Sequence, residues 1–208
     1  MNEKHAIHRY VAGKLMKLVH SSHDAAVTAA LARLRRGIGK EPGGQPEIWE
    51  ITLEGMPEAL QGRGNQPSYA ERAAHTALTL FALHQQGKRM REKCMYEQEQ
   101  SLGRAVRIFI YREPDREQAI TRRFLATVTA DSYTELTWHL RGLIQLLRTK
   151  NISLDYPALA EDLFRFQFPG QQDQIRLQWG RQFHRSYHTD QEESSTQGDP
   201  RTEDVTNG

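Results

Sequence analysis

Apolar residues recur at helical spacing along most of the chain, most regularly between residues 131 and 168. Tyr133, Leu136, Leu140, Leu143, Ile144 and Leu147 fall on one side of a helix. Ser132 with Glu135 reads as a capping box, a hydroxyl and a carboxylate satisfying the orphan amides of the first turn. After a break at Asn151–Ser153, Asp155 can cap a second helix that tolerates Pro157 in its first turn. Tyr156, Leu159, Leu163 and Phe166 form its stripe, and the two stripes are expected to meet as an antiparallel helical hairpin.

The same periodicity extends to both sides. Ile7, Val11, Leu15 and Leu18 predict a helix over 4–20, and Val27, Ala30, Leu31 and Leu34 a second one ended by Gly37. Residues 38–66 are rich in Gly, Pro and Gln, and Ile48–Leu53 within them is too short to classify. Trp49 is expected to cover the core. Ser68 and Glu71 form another capping box, opening a helix with Tyr69, Ala73, Leu80 and Leu83 on its buried face and Gly87 at its close. Residues 88–100 read as a mobile, mostly basic loop. Leu102, Ala105, Val106 and Phe109 fit a helix, although Val106–Tyr111 alone also fits a strand. A helix begins at Asp115, with Ile120, Phe124 and Val128 inside, and Gln172–Arg185 forms a last one around Ile175, Trp179 and Phe183. About eight helical segments and no convincing strand predict an all-α fold.

Charge sharpens this picture. The chain of 208 residues has a net charge of +2, which hides an asymmetry. Residues 186–208 hold six acids and one base, a charge of −5, so residues 1–185 carry +7. That tail has almost no apolar residues and is expected to be disordered, free to fold back on the basic part and screen it. The body is basic in clusters. Arg33, Arg35, Arg36 and Lys40 follow Asp24 with no acid before Glu41. A helix C-terminus favours nearby cations by about 0.3–1 kcal/mol each, which accounts for one or two of them. An anionic partner is the simplest reason for four. Arg141 and Arg148 lie a heptad apart on one flank of the 133–147 helix, with Trp138 and Gln145 beside them. Two cations in line near an aromatic can follow a phosphate backbone; on pattern alone a solvated flank is the commoner reading.

Candidate chemistry changes little. The chain has no phosphate-binding loop, dinucleotide fingerprint, nucleophile elbow or HExxH motif. The pairs His5 and His8, His20 and His23, and His184 and His188 each lack a convincing third ligand, so no metal or other cofactor is expected. Cys94 is single, which excludes an intrachain disulfide, and nothing around it suggests an activated nucleophile. The apolar runs are too short to cross a bilayer, and Met-Asn-Glu-Lys-His at the start lacks a signal-peptide core, which fits a soluble cytoplasmic protein without a membrane partner.

Ser101-Leu-Gly-Arg-Ala105, Arg122-Arg-Phe124, His139-Leu-Arg-Gly-Leu143, Leu154-Asp-Tyr-Pro157 and Trp179-Gly-Arg-Gln-Phe183 occur in an order and spacing that resembles the CasB family, the small subunit of the type I-E CRISPR Cascade complex. Leu34-Arg-Arg-Gly37 fits the same pattern, which is good over 101–185, looser over 22–87 and absent in the tail. The resemblance implies a non-catalytic protein with an N-terminal helical part (1–100, with irregular loops at 38–66 and 88–100) and a C-terminal helical bundle (101–185). It further implies assembly, beside a second copy of itself, with the large and backbone subunits and their guide RNA. In that place it would bind target and displaced, non-target DNA and stabilise the R-loop.

Carried onto this chain, the resemblance points to Arg104, Arg122, Arg123 and Arg141, then Arg35 and Arg36, then Lys88. Arg33, Arg107 and Arg148 rest on the surface reading alone. The acidic tail and the longer 88–100 loop depart from the family pattern. The competing reading is a protein-only scaffold whose arginines pair with acidic neighbouring subunits.

Overall fold

The computed structural model describes residues 3–185, so the acidic tail expected over 186–208 lies outside the described residues. Within them the chain is all-α: α1 (Glu3–Val19), α2 (Asp24–Arg36), α3 (Trp49–Thr52), α4 (Tyr69–His84), α5 (Leu102–Arg112), α6 (Glu117–Val128), α7 (Tyr133–Thr149), α8 (Tyr156–Phe166) and α9 (Gln172–His184). The stretch too short to classify is α3, a single turn set among 3-10 turns at Pro42–Gly44, Pro46–Ile48 and Glu58–Leu60. The 106–111 ambiguity resolves as helix within α5.

Helix α4 is the centre of the molecule. Its sequence is apolar nearly all the way round, the pattern of a helix buried on every side. Twelve of its sixteen residues are buried, and five of those are alanines, whose small side chains let α1, α2, α7 and α8 pack directly on it. The predicted capping box opens it: Ser68 Oγ accepts from Glu71 N at 3.0 Å, and Glu71 Oε2 accepts from Ser68 N at 2.6 Å. Glu71 Oε1 also accepts from Gly62 N at 3.1 Å, so the box anchors the irregular segment before it. The helix ends at His84, ahead of Gly87. Tyr69 departs from its expected buried place; it is 41% exposed and lies edge-on to Phe168, 5.1 Å between ring centres.

The expected hairpin of α7 on α8 is corrected by the packing. Helix α7 packs on α6 and α4, whereas α8 packs on α1 and α4. Both apolar stripes are buried, but each faces α4 and a different outer helix, because an all-round apolar helix offers each of them a surface to cover. The local signals around these helices hold better. Asp155 Oδ1 accepts from Ala158 N at 3.0 Å and caps α8, with Pro157 in the first turn. Ser132 Oγ accepts from Glu135 N at 3.1 Å, but the Glu135 carboxylate turns to Asp131 N, leaving half of the expected capping box.

The loop at 88–100, expected to be mobile, is tied down. Gln85 Nε2 donates to the carbonyls of Lys88 and Lys93, and its Oε1 accepts from Met95 N. Glu97 N donates to Leu154 O, Leu154 N to Met95 O, and Glu99 N to Asp155 Oδ2. A polar-looking sequence thus has its backbone groups satisfied by the connection before α8.

Helices α5 and α9 meet in a tight seam at Gly103. A Cβ on Gly103 would stand 2.5 Å from Trp179 O and 2.7 Å from Phe183 N, so only glycine fits there. Trp179 is buried and donates from Nε1 to Asp162 Oδ2 at 2.6 Å, joining α9 to α8. The apolar core is continuous from Ala6 on α1 to Phe183 on α9. Among the described residues no helix is long and apolar enough to cross a membrane.

Candidate nucleic-acid interface

Two places bring predicted basic residues together. The first is a groove between α6 and α7, about 320 Å³, lined by Arg123 from α6 and by Trp138, His139, Arg141, Gly142 and Gln145 from α7. It exists because Leu136, Leu140, Leu143, Ile144 and Leu147 face inward, which leaves the intervening positions outside. Arg122, Arg123 and Arg141 are exposed and make no ion pair among the described residues. Trp138, expected beside Arg141 and Arg148 on the flank of this helix, is 71% exposed. Its ring meets His139 edge-to-face with centroids 4.9 Å apart. His139 Nε2 lies 3.6 Å from Glu135 Oε1 on the preceding turn.

The second is a cluster at the C-terminal end of α7. Lys88 Nζ donates to Arg148 O at 3.2 Å, and Arg148 Nη1 donates to Gln86 Oε1 at 2.7 Å. Partial burial, then Arg148, then Lys93 hold the Lys88 amine below its ordinary range. Burial followed by the Arg148 charge lowers Arg35 in the same direction. Arg148 on α7 therefore lies within the field of both Arg35 on α2 and Lys88 of the tied loop, and Lys93 within that of Lys88. Beneath them His84 is buried; desolvation first and the neighbouring Lys88 next push it down to about 3, and its Nδ1 is 2.8 Å from Tyr156 Oη. It stays uncharged, so it adds nothing to the repulsion above it.

The remaining predicted residues are placed otherwise. Arg36 lies 3.6 Å from Glu47, and Arg107 lies 3.6 Å from Glu117. Arg104 is exposed on α5, between the buried Gly103 and Ala105. Arg33 projects to another side of α2, lining a cleft with Lys14, Lys17, Glu50 and Glu54, and its Nε is buried without a hydrogen-bond partner among the described residues. Trp49, expected over the core, is 42% exposed and donates from Nε1 to Pro42 O at 3.1 Å, steadying the loop instead.

Two contributors escaped the sequence reading. Lys93 reaches the α7 cluster because the loop folds back through Gln85, and Gln86 because it follows α4, which packs on α7; nothing local in the sequence reports either contact. Among the described residues no three His, Cys, Asp or Glu side chains converge as a metal site would require, and His188 lies outside them. Burial raises the Cys94 thiol, the direction opposite to activation.

Comparison with known proteins places this geometry. The family described as CRISPR-associated protein Cse2 matches residues 30–184. The structure is similar to CasB from Thermobifida fusca, at 32% identity over 87% of this chain and 97% of that one, with a TM-score of 0.68. It shares its fold with a Cse2-family CRISPR-associated protein from Thermus thermophilus, at 20% identity over 89% of this chain and all of that one, TM-score 0.61. It shares it also with a chain of a CRISPR RNA-guided surveillance complex, at 17% identity over 85% of this chain and 95% of that one, TM-score 0.62. No curated protein matches the chain.

Proposed function

The chain belongs to the CRISPR-associated Cse2 family, and from that membership we propose that it is a non-catalytic small subunit of a Cascade-type, RNA-guided surveillance complex. In that role it sits beside a second copy, the large subunit and the backbone subunits, and holds DNA strands opened by the guide RNA. Exchange of DNA pairs for RNA–DNA pairs is nearly balanced, so modest contacts to phosphates decide how long the R-loop lasts. Helical surfaces that present cations without base-reading loops suit strands of any sequence.

The observation that carries this reading is the α7 cluster. Lys88 Nζ reaches Arg148 O at 3.2 Å, and the Arg148 charge bears on both Arg35 and Lys88, with Lys93 adding to it at Lys88. The carbonyl end of α7 compensates part of that repulsion through its dipole, and a strand of phosphates compensates the rest. The groove with Arg123 and Arg141 offers a second place for the same backbone.

The test is R-loop lifetime in a complex assembled with guide RNA and partner subunits. Replacing Arg35 and Arg148 with glutamate should shorten the lifetime by at least tenfold while the complex still assembles. An unchanged lifetime in an intact complex overturns the DNA-holding role. Loss of assembly itself would favour the protein-only scaffold.

A further inference from the structure

We propose that Trp138 is a stacking platform for an unpaired nucleobase, with the adjoining phosphate held between Arg123 and Arg141. The inference rests on the DNA-binding reading and narrows it to one residue and one chemical state of the ligand, a base outside a duplex.

Trp138 is not a displaced core residue. The inward positions of α7 are all filled by Leu136, Leu140, Leu143, Ile144 and Leu147, and Trp138 lies off that stripe. A tryptophan normally buries most of its large apolar surface and finds a partner for its indole N–H. This one is 71% exposed, more than any other large hydrophobic side chain among the described residues. The ring contact it makes there is with His139, edge-to-face.

Its surroundings fit a strand. Trp138 and Arg141 form a ridge between two clefts, since both residues line each of them. On one side is the 320 Å³ groove with Arg123, His139 and Gln145 and no acid in its lining. On the other, about 220 Å³, Thr76, Thr79, Tyr133, Thr134 and Thr137 supply hydroxyls beside Lys40 and Glu41. Trp138 and Arg141 are three residues apart on a helix, so an aromatic face and a guanidinium stand side by side, about 5–6 Å between Cβ atoms. That is also close to the spacing of a base and its own phosphate.

The ligand state follows from the aromatic. Arginines alone serve duplex and single strand alike, because both present phosphates. A base within a duplex has both faces covered by its neighbours and cannot lie on a side chain, whereas an unpaired base can, and stacking of any base on an aromatic is worth about 1–3 kcal/mol. The pairing of exposed Trp138 with flanking cations therefore selects an opened strand over a closed one.

The test compares the full-length chain with Trp138→Leu and Trp138→Phe on a thymidine oligonucleotide and on an abasic oligonucleotide of equal length. Trp138→Leu should weaken thymidine binding by about 5- to 150-fold, the range that stacking energies of about 1–3 kcal/mol imply. It should leave abasic binding unchanged, and Trp138→Phe should restore most of the loss. The slope of log affinity against log salt should be the same in all three proteins. If Trp138→Leu binds both oligonucleotides as the wild type does, or loses the same factor on both, stacking is overturned and phosphate binding stands. If the wild type binds neither, the DNA-binding reading falls with it.

Discussion

Two helix pairs carry arginines from the same family-like segments, and they are built differently. Where α5 meets α9, the Cβ position of Gly103 is already taken by the backbone of Trp179 and Phe183, at 2.5 and 2.7 Å. Where α6 meets α7, the nearest atom to the Cβ position of Gly142 is the tip of Arg123, at 3.9 Å. The first pair is a closed seam, and nearby Arg107 is engaged by Glu117. The second is an open groove, and Arg123 and Arg141 are left to face whatever enters it. The difference teaches that a short motif such as Leu-Gly-Arg or Arg-Gly-Leu does not by itself say whether it packs or binds; the neighbouring helix decides.

The largest effect that can break this comparison is a single methyl group at each glycine. Gly103→Ala should cost about 3 kcal/mol or more, because the clash is with backbone that cannot rotate away. Thermal melting should fall by roughly 6–12 °C for a chain of this size. Gly142→Ala makes only an ordinary contact with the flexible tip of Arg123 and improves helix propensity by about 1 kcal/mol, so its melting temperature should rise by roughly 2–4 °C. Equal effects at the two positions would erase the distinction between seam and groove.

Much of the fold was legible in the sequence, and the reasons it failed elsewhere are specific. Helix existence was readable because the apolar stripes of α1, α2, α7, α8 and α9 are regular, and the caps at Ser68 and Asp155 are local chemistry. The partner of a stripe was not readable. The short connection between α7 and α8 suggested that they pair, but the alanine-rich, all-round apolar α4 is the better surface for both. That signal was present in residues 70–84 and pointed to a central helix. In the candidate site, Arg123 and Arg141 were named from the sequence and face one groove, whereas Arg36 and Arg107 have acids as partners. Those acids lie eleven and ten residues away in sequence, beyond what helical spacing reports.

A smaller effect sharpens the closed side. Asp162 is buried between α8 and α9, and desolvation raises its carboxyl to about 6 despite hydrogen bonds from Trp179 and Gln178 and the nearby Arg165, with Glu161 adding to the rise. Its folded value stands above the unfolded one, so the native state binds the proton more tightly and stability falls as pH rises from about 4 to above 6. Lowering the pH from 7.5 to 5 should therefore stabilise the wild type relative to Asp162→Asn, by about 1–2 kcal/mol. Melting curves of both proteins at the two pH values check this; parallel pH profiles would contradict it.

The smallest effect concerns the engaged arginine. Arg107→Ala removes a half-exposed pair with Glu117 at 3.6 Å and should cost less than about 1 kcal/mol. It should change oligonucleotide affinity by less than about twofold, against a much larger loss in the groove. A strong effect of Arg107→Ala on binding would move the contact surface to α5.

The most direct measurement is the salt dependence of single-stranded oligonucleotide binding by the wild type and by an Arg123→Ala, Arg141→Ala double variant. Each phosphate contact on a single strand contributes about −0.7 to the slope of log affinity against log salt. The wild type should show a steep negative slope and the variant one shallower by about 1.4, with melting temperature unchanged. Identical slopes would show that the open groove does not hold the phosphate backbone.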